Sequence, residues 1–150
     1  ADAALGTGDL EQEAIWDQNY ILTHDVEPKY YMNKVVEFAD NNFQPILDAA
    51  KAAADGLDLI AITDLHGFVP TLESRFCNNP RDDVEWNMFN ARNRRFRKEA
   101  FIDRANTATG AFRIEVTVRN VGRGPEKLKV ISTPIYIQGR RWGAVFTIKS

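Results

Sequence analysis

The densest chemistry in the chain is the run Arg92-Asn93-Arg94-Arg95-Phe96-Arg97. A guanidinium is planar, forked and always charged, so it suits the oxygens of a carboxylate or a phosphate. Read as helix, Arg92 and Arg95 lie three apart on one face, while Arg94 and Arg97 point elsewhere. That spacing admits an anionic ligand held by Arg92 or Arg95. It equally admits a solvated helix face balanced by Asp82, Asp83, Glu85 and Glu99. Tyr31, Trp86, Tyr136 and Trp142 are candidates to stack on such a ligand or close a pocket, against the plainer role of filling core. His66 stands two positions from Asp64. In an enzyme the pair would be a general base with its orienting carboxylate. Within a turn, such a pair more commonly caps backbone groups.

Other chemistries are excluded by what is missing from the sequence. There is no Gly-x-Ser-x-Gly elbow, His-Glu-x-x-His pair or Walker loop, and Gly122-Arg123-Gly124-Pro125 reads as a hairpin turn because no helix follows it. The single cysteine, Cys77, beside Asn78-Asn79-Pro80, reads as a spare thiol. It rules out an internal disulfide, a Cys-x-x-Cys zinc pair and covalent haem attachment. His24 and His66 are the only imidazoles. No catalytic residue, metal or resident cofactor is expected.

With 150 residues, 44% hydrophobic and 27% charged, the chain has the size and composition of one globular domain. A net charge of −2 offers no overall field for nucleic acid or an anionic membrane. No apolar run approaches the roughly 18 residues a membrane span requires. The chain opens on Ala-Asp-Ala-Ala and closes inside the strand-like Val145-Phe146-Thr147-Ile148, so it reads as a segment of a longer protein.

Periodicity then supplies the elements that must position these groups. Residues 1–10 read as a frayed start. Pro28 suits a first helical position, and Tyr31, Val35, Phe38, Ile46, Ala49, Ala50 and Ala53 follow at helical spacing. This long helix would be opened by Tyr30 and Tyr31, divided near Pro45 and ended by Gly56. Residues 57–63 are apolar on both faces and predict a central strand. Phe68-Val69 begins a short second strand. Asp82 and Asp83 can cap a helix from Val84 to Ala105. Phe112, Ile114, Val116 and Val118 alternate with Arg113, Glu115, Thr117 and Arg119, as in a strand with one wet face. Leu128–Ile137 follows, with a bulge or edge near Ser132 and Pro134. Trp142, Ala144, Phe146 and Ile148 line one face of the last strand. The expectation is an α+β fold: an antiparallel sheet of about five strands covered by N-terminal helices, with a pocket between them.

Several segments, in order, resemble a known family: Gly8 through Tyr20, Glu27-Pro28-Lys29-Tyr30, Asp40, Pro45-Ile46-Leu47-Asp48 and Asp64-Leu65-His66-Gly67-Phe68-Val69-Pro70-Thr71. They continue with Arg92-Asn93-Arg94-Arg95-Phe96, Asp103-Arg104, Pro134-Ile135-Tyr136-Ile137 and Gln138-Gly139-Arg140-Arg141-Trp142-Gly143. The chain resembles the PAS/Cache-like sensor domains of bacterial methyl-accepting chemotaxis proteins, a group that includes c-type haem sensors. It departs from their pattern at Leu72 and Arg141, where histidines are usual, in lacking the haem-attachment motif, and in extra spacing between Phe96 and Asp103. The resemblance implies a domain that binds a small molecule and signals through its N-terminal helix. It implies a homodimer paired through N-terminal helices, within a receptor anchored in the inner membrane. The domain would lie on the periplasmic side, the cytoplasmic side being the alternative. A ligand-free dimerisation or spacer module and a non-covalent haem or redox sensor are the competing readings.

Overall fold

The computed structural model describes residues 12–25, 27–120 and 124–150. The expected frayed start and the middle of the expected turn after Asn120 lie outside the described residues. Residues 12–15 are helical. Strands β1 (Ile21–His24) and β2 (Tyr30–Met32) pair in a hairpin. Helices α1 (Val35–Asn42) and α2 (Gln44–Ala53) follow. Next come β3 (Leu59–Asp64), β4 (Phe68–Val69), a 3-10 turn at Ser74–Phe76, α3 (Val84–Asn90), β5 (Arg95–Phe96) and α4 (Ala100–Thr107). The chain closes with β6 (Arg113–Asn120), β7 (Pro125–Ile137) and β8 (Arg140–Lys149).

The fold is mixed α+β with antiparallel sheets. The main sheet has the order β3-β8-β7-β6. It holds four strands where about five were expected, because the short β4 pairs with β5 in a separate sheet. The last hairpin turns on Gln138 and Gly139, both at positive φ (52° and 76°), the geometry that matches strand twist in a two-residue loop.

Core forms on both faces of this sheet. On one, α4 lays Phe101, Ile102 and Ala105 over Leu59, Ala61, Leu128, Val130, Ala144, Phe146 and Ile148. On the other, α1 and α2 bring Val35, Ala39 and Leu47 onto Ile60, Ile62 and Trp142, with Ile15 beside them. The double-sided apolar pattern of β3 therefore marks burial, as read, but β3 is an edge strand and not a central one. Its outer edge is covered: the Ile60 N–H donates to Glu73 Oε1 at 3.0 Å, and Ala61 bridges Leu72.

The structure corrects four further sequence expectations. Pro45 does divide the helical run at Phe43, but the helix begins at Val35. Tyr30 and Tyr31 belong to β2 instead, and the Tyr31 N–H donates to the Arg94 carbonyl at 2.8 Å. The helix expected over Val84–Ala105 ends at Asn90, although Asp83 caps its start by accepting from the Trp86 N–H at 3.0 Å. Beyond Asn90 the backbone donors of the arginine run find partners in distant segments: Arg92 on Phe76, Arg94 on Val69 and Arg97 on Gly67. Arg92 and Arg95 consequently share no helix face.

The third correction concerns β6. Glu115 faces Val130 and Thr117 faces Leu128 across the β6–β7 ladder. Val130 and Leu128 are buried beneath α4, so the polar row of β6 turns inward, and Arg104 of α4 meets Glu115 in an ion pair. The apolar row turns outward. The fourth correction lies in β8. Ile135 pairs with Gly143 but Tyr136 pairs with Arg141, so β8 carries one extra residue at Trp142. That bulge sends Trp142 to the α1–α2 face while Ala144, Phe146 and Ile148 keep to the α4 face. Pro134 lies past Ser132, the last β7 residue that β6 pairs, so it occupies an edge stretch where a missing N–H is tolerated.

Candidate functional site

The candidate site is a cavity on the α4 face, between the sheet and the segment that links β5 to α4. Its interior admits a water-sized sphere over about 40 Å³, and the wider gap around that is open to solvent. The floor is apolar, built from Leu59, Ala61, Phe146 and Ile148 of the sheet, and Phe101 and Ile102 of α4 close one wall. Polar groups enter from the rim: Arg92, Arg97, Glu99 and Arg119, with Thr63 further in.

The rim charges are unequally satisfied. Arg97 Nε lies 3.2 Å from Glu99 Oε1. Burial alone would raise the Glu99 pKa, but this hydrogen bond and the Arg97 charge hold it below the usual carboxylate value. Arg119 Nε lies 3.6 Å from Glu126 Oε2. Arg92 has no carboxylate within ion-pair distance among the described residues; its guanidinium lies 5.0 Å from the centre of the Phe76 ring. Burial, with the charges of Arg97, Arg119 and Arg95, lowers the Arg92 pKa to about 10. It stays protonated at neutral pH. A largely buried guanidinium with only the through-space charge of Glu99 to oppose it favours a small anion that can reach it.

Of the seven side chains singled out in the sequence, the cavity takes in Arg92. Arg95 is buried elsewhere: Nη2 approaches Met88 Sδ at 3.6 Å, and Nη1 has no hydrogen-bond partner among the described residues. Tyr31 packs edge-on against Phe96 at 5.0 Å. Trp86 lies half-buried under the Arg81 guanidinium, 3.7 Å from its ring. Tyr136 is exposed on β7. Trp142 is core, and its Nε1–H donates to the Ile15 carbonyl at 2.9 Å. His66 is exposed at a smaller cleft shared with Trp16, Asp17 and Arg140.

Asp64 plays the capping role that a turn suggests. Its Oδ1 accepts from the His66 N–H at 2.8 Å and the Phe68 N–H at 3.0 Å. The His66 backbone therefore answers Asp64, not an imidazole–carboxylate pair. Cys77 is half-buried, and burial raises its thiol pKa, which fits a spare, unreactive thiol.

Sequence reasoning missed Arg97, Glu99, Arg119 and Thr63 as neighbours. The alternating charges of Arg97 and Glu99 were a usable signal. Arg119 was hidden by the assumption that the polar row of β6 faces water. Comparison with known families finds no matching family model, and comparison with curated proteins finds no matching sequence.

Proposed function

We propose that the chain is a non-enzymatic sensor domain that binds a small organic anion in the α4-face cavity, of the kind carried by bacterial methyl-accepting chemotaxis receptors. The observation that carries the ligand reading is Arg92: a guanidinium at an apolar cavity beside Arg97, Arg119 and Glu99, with no ion-pair partner among the described residues. An anion bound there exchanges its water for a charge-assisted hydrogen bond, while its apolar remainder lies on Phe101 and Phe146. The receptor reading is supported by the ordered resemblance from Gly8 to Gly143. It places the domain in an inner-membrane receptor, on the periplasmic or, alternatively, the cytoplasmic side.

A route for the signal follows from contacts of α4. Phe101 and Ile102 wall the cavity. One helical turn on, Asn106 Nδ2 donates to the Asp64 carbonyl at 3.2 Å, and the Asp64 side chain accepts from the Tyr20 hydroxyl. A ligand that prefers one setting of α4 biases the segment carrying Tyr20 by its difference in affinity for the two settings.

The test is a thermal-shift and calorimetric screen of small monocarboxylates, dicarboxylates, amino acids, inorganic phosphate and haem, run on the wild type and on Arg92→Gln. A ligand at a hundredfold excess over its Kd stabilises by about 2.7 kcal/mol, a rise in Tm of several degrees. Arg92→Gln is expected to abolish the response to the anion while leaving the circular dichroism spectrum unchanged. Indifference to every anion overturns the proposal in favour of a ligand-free spacer. A response to haem alone transfers it to the haem-sensor reading.

A further inference from the structure

A cleft that shares no lining residue with the α4-face cavity opens between the β1–β2 hairpin and the loop after the Ser74–Phe76 turn. It admits a water-sized sphere over about 470 Å³, within the roughly 300–1,000 Å³ of small-molecule sites. The hairpin contributes Thr23, Tyr30 and Met32, the loop contributes Asn78, Asn79 and Pro80, and Asn93 and Arg94 complete the lining.

Both sides of the cleft are tied to the same stretch of backbone. The Tyr30 hydroxyl donates to the Ala91 carbonyl at 2.6 Å. From the loop, Cys77 bridges Ala91, and Asn78 Nδ2 donates to the Asn90 carbonyl at 2.8 Å. The gap is therefore a standing feature of the fold, and an occupant has little ordering to do. Arg94 adds a second sign. It is held at φ 62° by its own N–H on the Val69 carbonyl and by the Tyr31 N–H on its carbonyl. Non-glycine residues rarely enter that region, and those that do gather at ligand sites.

The lining is rich in hydrogen-bonding groups that the protein leaves unused. Asn93 is 7% exposed, and its side-chain amide lines the cleft with no partner among the described residues. Buried amides are ordinarily paired. Asn78 spends both hydrogens of Nδ2 on the Arg75 and Asn90 carbonyls, which leaves Oδ1 to accept. Thr23 Oγ1 donates to the Tyr30 carbonyl at 3.2 Å and can still accept. Asn79 is exposed, with its whole amide available.

We propose that this cleft is a second binding site, for a neutral saccharide or polyol. Arg94 already faces a carboxylate, with Nη2 3.1 Å from Asp40 Oδ2, so it offers no spare charge to an anion. No carboxylate lines the cleft to hold a cation. Tyr30 is 3% exposed and His24 packs edge-on against it at 5.4 Å, so a flat base finds no aromatic floor to stack on. An apolar occupant would strip water from Asn93 and leave it unpaired. An uncharged molecule with several hydroxyls fits, because each hydroxyl both donates and accepts, as each amide does. This reading does not depend on the anion proposed for the α4-face cavity.

The test is titration of the isotope-labelled chain with glucose, galactose, ribose, sucrose and glycerol into the millimolar range, followed by NMR at backbone and asparagine side-chain amides. Citrate and adenine serve as contrasts. At least one saccharide or glycerol is expected to give saturable shifts at Asn78, Asn79 and Asn93. Binding is expected to weaken about tenfold in Asn93→Ala and about threefold in Asn79→Ala, and to survive Arg92→Gln. Circular dichroism shows whether Asn93→Ala is folded; Asn79→Ala, at an exposed loop position, decides if it is not. The absence of saturable shifts with every saccharide and glycerol overturns the proposal. So do shifts confined to other parts of the chain, or binding indifferent to Asn79→Ala. Saturation by citrate or adenine alone also overturns it and assigns the cleft to an anion or a base.

Discussion

The Tyr20 hydroxyl donates to Oδ2 of Asp64, 44 positions away, and ties the segment before β1 to the turn after β3. Asp64 is buried, and the same carboxyl also holds the His66 and Phe68 amides. Tyr20→Phe keeps the ring against Phe68 and Phe96 but leaves Oδ2 without this donor. The expected loss is about 1–3 kcal/mol in chemical denaturation. An unchanged midpoint would show that the hydroxyl is not needed.

Asp64 also predicts a pH dependence. Burial raises its pKa above the ordinary value, against the pull of its Tyr20, Phe68 and His66 hydrogen bonds. The folded state then holds this proton more tightly than the unfolded chain, where an aspartic acid titrates near about 3.9. The resulting stability is fully present below that value and is lost as pH rises through the raised folded value. Relative to Asp64→Asn, which stays neutral at every pH, the wild type should accordingly lose stability from about pH 4 upward. Glu99 runs the other way: its pKa is lowered, so its contribution is present above about 4.3 and fades as pH falls through the folded value. Urea melts at a series of pH values on Asp64→Asn and Glu99→Gln check both signs.

Gly143 is held by a close approach. A Cβ built there would meet the Thr63 carbonyl oxygen at 1.9 Å and the Thr63 carbonyl carbon at 2.9 Å. Both are backbone atoms, so β3 and β8 must separate for any side chain to fit. Gly143→Ala is expected to destabilise by at least about 3 kcal/mol. A thermal melt within a degree of wild type would contradict this approach.

Arg141 reaches the C-terminal end of α4. Its Nη2 donates to the Ala105 carbonyl at 2.6 Å and its Nη1 to Ala108. Arg141→Ala removes both donors and the cation at a helix C-terminus, with an expected loss of about 1–2 kcal/mol. Arg141→Lys should recover only part, because an ammonium cannot span two carbonyls as a fork does.

The elements legible in the sequence are those whose pattern depends on neighbours close in the chain. The β7–β8 hairpin follows from Gln138-Gly139, the helix cap from Asp83, and the division of the helical run from Pro45. The errors arose where distant partners decide. Nothing local in Arg92–Arg97 reveals that its amides pair with Phe76, Val69 and Gly67. A charged stretch with helical spacing therefore predicts a helix, with Arg95 beside Arg92.

Facing failed for a related reason. Alternation says that β6 has two unlike sides but not which is inward. That is settled by the register with β7, whose Leu128 and Val130 are buried, and by Arg104 waiting for Glu115. Had the apolar side been core, Arg119 would not stand at the cavity rim. Alternation likewise puts Trp142 on the face of Ala144, because an extra residue in a strand shifts parity without altering composition.

That extra residue gives one strand two anchors. On one side of it the Trp142 indole grips the Ile15 carbonyl; on the other, Gly143 lies flat beneath Thr63, which lines the cavity. The chain near its start and the pocket are thus gauged against the same few backbone atoms. Thermodynamic reciprocity sets the terms: if an occupant of the cavity changes how firmly Ile15 is held, fastening Ile15 changes that occupant's affinity by the same factor.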